Sequence, residues 1–427
     1  MQEIQIGLLG LGTVGSGVIQ ILTQNDDDIS NRTDSHIKIK KVLVRNLQTP
    51  RSVSGNFVLT DKPEDILQDP DIDIIVEVMG GIEPARTYIL EALHQGKNVV
   101  TANKDLLALH GHELLDVAKE AGKDLYFEAS VAGGIPIIAA LKQSLAANRI
   151  STVIGIINGT TNYILTSMTE QGRDYEEVLK EAQTLGYAEA DPSSDVDGLD
   201  AARKLAILSS IAFNSRVTIN DVYVDGISRI TADDIAYASE LNSCIKLLAI
   251  AKHQPDGLEI RVHPAILPKS HPLASVGGVF NAIYVIGDAV GETMFFGRGA
   301  GSLPTGSAVV SDIIQVTRNI ETHSTSAINC TCYNDLQLTK SDDFHTAFYI
   351  RMRVKDEPRV LATLALLFAE ANVSFASIIQ RQKANEEAEI VLVTHPIYEA
   401  QLREALKSVK AYSKVLTINN VIRFEGK

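Results

Sequence analysis

The stretch GYAEADPSSDVDGLDAARKLAIL, residues 186–208, sets five carboxylates (Glu189, Asp191, Asp195, Asp197 and Asp200) ahead of Arg203, Lys204 and an apolar run. A helix beginning near Asp197 and running through Leu208 places Asp200 and Lys204 four residues apart on one face. Spacing alone favours an ordinary exposed pair, worth roughly a few tenths of a kcal/mol. Two features point to chemistry instead. Leu199, Ala201, Ala202, Leu205, Ala206, Ile207 and Leu208 surround the helix with apolar side chains, so the Lys204 ammonium is expected to be partly buried and tuned toward acid–base work. Glu189 stands apart from the helix, after Gly186-Tyr187, where it can join Asp200 in holding a substrate ammonium.

Such groups need a scaffold and a reactant. EIQIGLLGLGTVGSGVIQIL begins as an alternating strand, turns through Gly10-Leu11-Gly12-Thr13-Val14-Gly15, and continues with helical spacing at Val14, Val18, Ile21 and Leu22. Strand, glycine turn and helix in that order fit dinucleotide binding, with Gly10, Gly12, Thr13, Val14 and Gly15 offering close backbone approach and a helix N-terminus for the pyrophosphate. A turn that only packs helix on strand is the bland alternative. The next strand, IKIKKVLVRN, ends at Arg45, where a carboxylate would hold the 2′-hydroxyl of NAD and an arginine can pair with the 2′-phosphate of NADP. NADP is therefore favoured with NAD possible, unless Arg45 is merely a surface cation.

Further strands are expected at DIDIIVEVMGG, KNVVTANK and DLYFEASVAGG, alternating with helices. The fold class is therefore α/β, a Rossmann dinucleotide-binding domain whose ligands sit beyond the carboxyl ends of parallel strands. Those ends are Glu77 to Gly81, Thr101 to Lys104 and Glu128 to Gly134. Thr101 and Lys104 thus become cofactor-binding candidates, and Lys104 can also hold substrate or polarise a carbonyl. Alternatively, Asn103-Lys104-Asp105 only caps the next helix.

From about residue 135 the pattern becomes α+β. PIIAALKQSLAANRI is helical, STVIGIING is a strand running to GTTNYIL, and DVYVDGIS, LEIRVHPAIL and VFNAIYVIGDAVG are strands. RGAGSLPTGSAVVSDIIQVTRNI is a glycine-rich loop feeding a helix over about 306–320, which can return to the first domain and touch cofactor through Gly306. A third segment, 346–427, has βαββαβ order, with strands at AFYIRMRV, SFASIIQRQ, AEIVLVTHP and VLTINNVIRF.

The 427 residues suffice for two or three domains: 1–134, 135–320 and 346–427. A net charge of −14, with basic residues scattered, argues against nucleic acid. Apolar runs are strand-length, and MQEIQIGLLG lacks a basic leader, so neither export nor membrane insertion is expected. Three cysteines suit a reducing cytoplasm better than a disulfide framework. Cys330-Thr331-Cys332 lacks metal-ligand spacing or a second pair, and His110-Gly111-His112 lacks a third ligand nearby.

GYAEADPSSDVDGLDAARKLAIL resembles the signature of homoserine dehydrogenases, and GLLGLGTVGSGV, VTANKDLLA, EASVAGGIPII and NGTTNYIL match that family in order, over roughly residues 1–320. The resemblance implies NAD(P)-dependent interconversion of L-homoserine and L-aspartate 4-semialdehyde, in threonine, methionine and isoleucine biosynthesis. It implies that Lys204 is the catalytic lysine, Asp200 its partner, Glu189 the carboxylate for the substrate amino group and Lys104 the second lysine, with Asp195 a further substrate-binding candidate. It further implies a monovalent cation site, usually sodium, at Glu128, Val131, Gly133 and Ile135, built chiefly from carbonyl oxygens. Residues alone read EASVAGGIP as a glycine turn. The third segment resembles an ACT domain, which on this family implies feedback by threonine and a homodimer or homotetramer. Its usual Asp-x-Pro-Gly-Val turn is DEPRV here, with Arg359 in place of glycine, and a dimerisation module that senses nothing is the other possibility. A rival of another class is a ligand-sensing regulatory protein that keeps the nucleotide fold for binding only. The joint presence of Glu189, Asp200 and Lys204 argues against it.

Overall fold

The computed structural model describes residues 2–51, 53–325, 330–383 and 386–426. The chain folds as two compact units of interleaved segments. The first is Met1–Ile157, Ala201–Val222 and Phe280–Leu336; the second is Asn158–Asp200, Tyr223–Val279 and Gln337–Lys427.

In the first unit, strands β1 (Gln2–Leu9), β2 (Ser35–Leu43), β3 (Val58–Thr60), β4 (Ile74–Glu77), β5 (Asn98–Thr101) and β6 (Leu125–Tyr126) form one sheet in the order β3-β2-β1-β4-β5-β6. Every pairing is parallel. β4 is buried at all its positions, as a strand covered on both faces must be. The chain leaves β1 toward β2 and later returns to β1's other side as β4, so the strand order reverses there, and a crevice opens beyond the carboxyl ends. The helix Ser302–Glu321 does return to this sheet, beginning a few residues before the expected 306. It packs on the helix Thr13–Gln24, and both helices contribute to one apolar core with Ile4, Ile6, Leu8, Val18, Val309, Ile313 and Val316. The approach is closest at two glycines. A Cβ on Gly17 would lie 2.1 Å from the Ser302 carbonyl oxygen, and one on Gly306 would lie 2.8 Å from the Gly17 carbonyl carbon. The same unit holds Ile150–Ile156, Phe280–Gly287 and Gly291–Arg298 as an antiparallel sheet.

The second unit contains a long hairpin, Ser243–Gln254 with Gly257–Pro268. Its C-terminal part has the expected βαββαβ order: His345–Lys355, Val360–Glu370, Phe375–Gln382, Glu387–Thr394, Glu399–Ala411 and Val415–Phe424. Within it the fourth strand lies beside the first, then come the third and the second, all antiparallel. Phe348, Ile350, Met352, Leu364, Phe368, Ile390, Leu392 and Leu402 form its core.

Four local expectations are corrected. STVIGIING does not extend as strand into GTTNYIL, because the Asn158 side chain accepts the Thr161 N–H and starts the helix Gly159–Gln171. DLYFEASVAGG is strand only at Leu125–Tyr126 before a tight turn over Glu128–Ser130, and DVYVDGIS only at Tyr223–Val224. The acidic stretch contains two helices, Ser193–Val196 and Leu199–Ala212, separated by Gly198 in a left-handed conformation (φ +85°).

Candidate active site

Beyond the carboxyl ends of the parallel strands, one cavity of about 330 Å³ is lined by Val14, Gly80, Lys104, Ser130, Gly133 and Lys204, among others. Each arrives by a distinct local device. Gly10 turns the chain after β1 at φ +107°, and a Cβ on Gly15 would strike the Gly10 carbonyl oxygen at 2.4 Å. At Gly12 a Cβ would meet nothing within 4 Å, so the outer side of the turn is open to a bulky anion. The helix that follows starts at Thr13 with no side-chain cap, leaving its first N–H groups for such an anion. These residues fit a dinucleotide pyrophosphate. Arg45 lies exposed just past the end of β2, where a ribose phosphate could be met.

Lys104 is the first residue of the helix Lys104–Glu120, and Asn103 caps that helix by accepting the Leu106 N–H at 3.1 Å. Capping and cavity lining are therefore both served by this short stretch. Thr101 is fully buried, with its hydroxyl donated to Glu77 at 2.6 Å, so its side chain acts on the loop. Glu77, which sequence reasoning did not single out, also accepts the N–H groups of Met79 (2.8 Å) and Gly80 (3.2 Å). Burial raises its pKa, while the bonds it accepts from Thr101 and from the Met79 and Gly80 N–H groups pull the other way. A carboxylate closing the apolar run IIVE was the legible signal, since such a group must be spent on local donors. Glu77 ties the loops after β4 and β5 together.

Lys204 is 9% exposed, and its ammonium donates to the Ile157 carbonyl at 2.9 Å. A strongly hydrated point charge held in a buried cavity beside a second lysine is equipped to steady a developing oxyanion and to transfer a proton. Gly306 also belongs to this unit, and its hydrogen faces the Gly17 backbone in the helix crossing.

Glu128 and Asp312 form a buried acidic pair in the same unit. The Asp312 carboxylate accepts the Glu128 N–H at 2.8 Å, while the Glu128 carboxylate accepts the N–H groups of Ile138 (2.8 Å) and Ala139 (2.6 Å). Burial pushes both carboxyls above the ordinary range, Asp312 far above, and the neighbouring Glu128 adds to the cost of charging Asp312. Val131, Gly133 and Ile135 follow in a turn where Ala132 and Gly133 both take positive φ. Buried carboxylate charge beside carbonyl oxygens is a donor set that suits a hard cation.

In the second unit, Asn158 organises the acidic stretch. Its Nδ2 donates to Asp195 at 2.7 Å and to Asp200 at 2.9 Å, while its Oδ1 accepts from Thr161. Asp200 is 3% exposed and opens the helix that carries Lys204 one turn later. Glu189 is exposed, and its backbone carbonyl accepts from Gln183 Nε2 at 3.1 Å. Asn158 was missed because it fell within STVIGIING, expected as strand; a helix-capping asparagine beside a glycine is its signal.

A family model described as "Homoserine dehydrogenase, NAD binding domain" matches residues 10–128, and one described as "Homoserine dehydrogenase" matches 136–314. The homoserine dehydrogenase of Bacillus subtilis (strain 168) is 46% identical over 429 residues, covering 100% of this chain and 99% of that one. A homoserine dehydrogenase structure from Thiobacillus denitrificans is similar with a TM-score of 0.95 and 43% identity, covering 99% of this chain and 98% of that one. A hyperthermophilic archaeal homoserine dehydrogenase in complex with NADPH covers 74% of this chain and 98% of its own, with a TM-score of 0.64 and 28% identity.

Proposed function

We propose that this chain, which belongs to the homoserine dehydrogenase family and is an oxidoreductase, interconverts L-homoserine and L-aspartate 4-semialdehyde with Lys204 moving the proton. The observation that carries the reading is the cavity holding Lys104 and Lys204 beside Val14 of the glycine turn. The nicotinamide cofactor supplies the hydride chemistry. The chain's task is to hold the aldehyde and manage one proton. In reduction the Lys204 ammonium hydrogen-bonds the carbonyl oxygen, steadies the alkoxide as it forms and protonates it; in oxidation its neutral form accepts that proton. Asp200 is the partner that tunes Lys204, and Glu189 and Asp195 take the substrate ammonium. Lys104 serves both substrate and cofactor.

Support for NADP over NAD comes from Arg45 at the end of β2 and from the NADPH bound to the archaeal relative. Gly10, Gly12, Thr13, Val14, Gly15 and Lys104 complete the proposed cofactor contacts, and Thr101 and Gly306 support that site from behind, through the Glu77 loop and the helix crossing. A sodium ion would be held by Glu128 with Val131, Gly133 and Ile135, favouring the ionised form of a carboxyl that burial otherwise penalises. The C-terminal βαββαβ module is read as an ACT-like regulatory domain responding to threonine, in a cytoplasmic homodimer or homotetramer of threonine, methionine and isoleucine biosynthesis. Among the described residues no helix is long and apolar enough to cross a membrane.

The test is homoserine-dependent reduction of NADP by the purified protein, followed by absorbance of the reduced cofactor, against Lys204→Met. Turnover in the variant should fall on the order of 10³-fold, within the range for a removed general acid–base group, with NADP affinity unchanged. Substantial residual turnover would remove the assigned role. Cofactor binding with no turnover in the wild type would favour a regulatory protein.

A further inference from the structure

Two motifs that look inert along the chain meet in the fold. His112 lies on the helix Lys104–Glu120, and Cys330 and Cys332 follow the helix Ser302–Glu321. One donor atom from each of the three, the two sulfurs and an imidazole nitrogen, all lie within 4.8 Å of one another. None of the three lines the cavity of Lys104 and Lys204, so the cluster is independent of the proposed reaction. Among the described residues it is the one group of three or more His, Cys, Asp or Glu side chains so arranged.

We propose that His112, Cys330 and Cys332 form a zinc-binding site. Around a tetrahedral zinc, with bonds of about 2.3 Å to sulfur and about 2.0 Å to nitrogen, the ligand atoms stand roughly 3.5–3.8 Å apart. The present separations therefore close by side-chain rotation. The His112 Nδ1 is buried with no hydrogen-bond partner, an orphaned acceptor or donor beside two thiols. The Cys332 sulfur meets the Ser210 carbonyl at 3.9 Å, a long contact that a metal bond would readily replace. Next to the three groups is a cavity of about 40 Å³ whose wall is made by apolar side chains such as Leu107, Phe127 and Ile207 together with Lys142, Ser210 and Thr331. That is room for an ion and one water as fourth ligand.

Ligand chemistry sets the choice of ion. Two soft thiolates and an imidazole select zinc over the hard cations that carbonyl and carboxylate oxygens prefer. Each zinc–sulfur bond forms as a thiol proton leaves to solvent, so two thiolates and neutral imidazole give a site without net charge. Lys142, which lines the same cavity, then meets no uncompensated dication. The bound ion would join residue 112 to residues 330 and 332, closing a loop of more than two hundred residues. It would also fix the segment that the Asn334 N–H anchors to the Asn214 carbonyl at 2.8 Å before the chain enters the C-terminal module.

The test uses the full-length protein, reduced with a phosphine, stripped by chelator and titrated with zinc against a chromophoric competitor, then with cobalt. The wild type should bind one zinc per chain and show a thiolate-to-cobalt charge-transfer band in the near ultraviolet. Cys330→Ser and Cys332→Ser should each weaken zinc binding on the order of 100-fold and lower the band, which the double variant should lose, with homoserine-dependent turnover showing that they fold. Wild-type protein should also have both thiols protected from alkylation by zinc, read by peptide mass, which does not depend on any variant folding. Failure of the wild type to bind zinc, an unchanged cobalt spectrum in the double cysteine variant, or alkylation indifferent to zinc would each overturn the proposal.

Discussion

Asn158 offers a sharp separation of structural from functional roles, because one side chain does two things with opposite atoms. Its Oδ1 caps the helix Gly159–Gln171, while its Nδ2 is shared between Asp195 and Asp200. Asn158→Ala removes both. The lost cap costs about 1 kcal/mol. Hydrogen bonds to charged groups contribute roughly 1.5–3 kcal/mol, and Asp200, 3% exposed, has little water to turn to. A total loss of about 3 kcal/mol is expected, measured as the shift of the denaturant midpoint at constant slope. Asn158→Asp keeps the cap, since aspartate caps as well as asparagine, but replaces a donor with a third negative charge facing two carboxylates. The two variants therefore reverse their order between assays. Stability of the helix start should survive better in the aspartate variant, whereas kcat/KM for homoserine should fall at least as far as in the alanine variant. A loss of about 100-fold corresponds to roughly 2.7 kcal/mol of transition-state stabilisation. Part of the aspartate variant's activity should return as pH is lowered and one carboxylate takes a proton. Wild-type kcat/KM in Asn158→Asp would refute the argument that the shared amide matters beyond capping.

Other consequences are as direct. Arg45→Ala should raise the KM for NADP about tenfold while changing that for NAD little, since only the 2′-phosphate loses a partner; equal effects on both cofactors would make Arg45 a surface cation. Asp312 has a folded-state pKa well above its unfolded value because it is buried beside Glu128. Its contribution is therefore present below the unfolded pKa and lost as pH rises toward the folded one. Asp312→Asn, which still accepts the Glu128 N–H, should flatten the fall of Tm with rising pH, and sodium chloride should do the same for the wild type more than choline chloride. Arg359 starts the helix Val360–Glu370 at φ +75°, a conformation that costs an L-residue about 1 kcal/mol or more. Arg359→Gly should stabilise the protein by about 0.5 kcal/mol after glycine's larger unfolded-state entropy is deducted, and destabilisation would mean that the arginine makes a compensating contact.

What could be read along the chain follows how local each determinant is. The parallel sheet was legible because buried strands such as IIVE and NVVT are continuous apolar runs, and the glycine turn because its constraints lie within six residues. The βαββαβ order was legible for the same reason, and Arg359 takes the left-handed conformation that the usual glycine would have supplied. Lys204 was legible as a buried cation from the apolar neighbours on its own helix. Elements whose length is set by distant partners were not. The strand expected through Gly134 stops at Tyr126, since the Glu128 N–H is taken by Asp312, 184 positions away. The same limit hid the meeting of His112 with Cys330 and Cys332. Neither His-Gly-His nor Cys-Thr-Cys has metal-ligand spacing by itself, and more than two hundred residues separate them. A spacing rule detects only ligands that the same helix or turn presents, whereas the doubly wound sheet sets residues from opposite ends of the unit side by side through its return helix. Ligand sets assembled across that return are invisible to any local pattern, so they have to be sought in the fold.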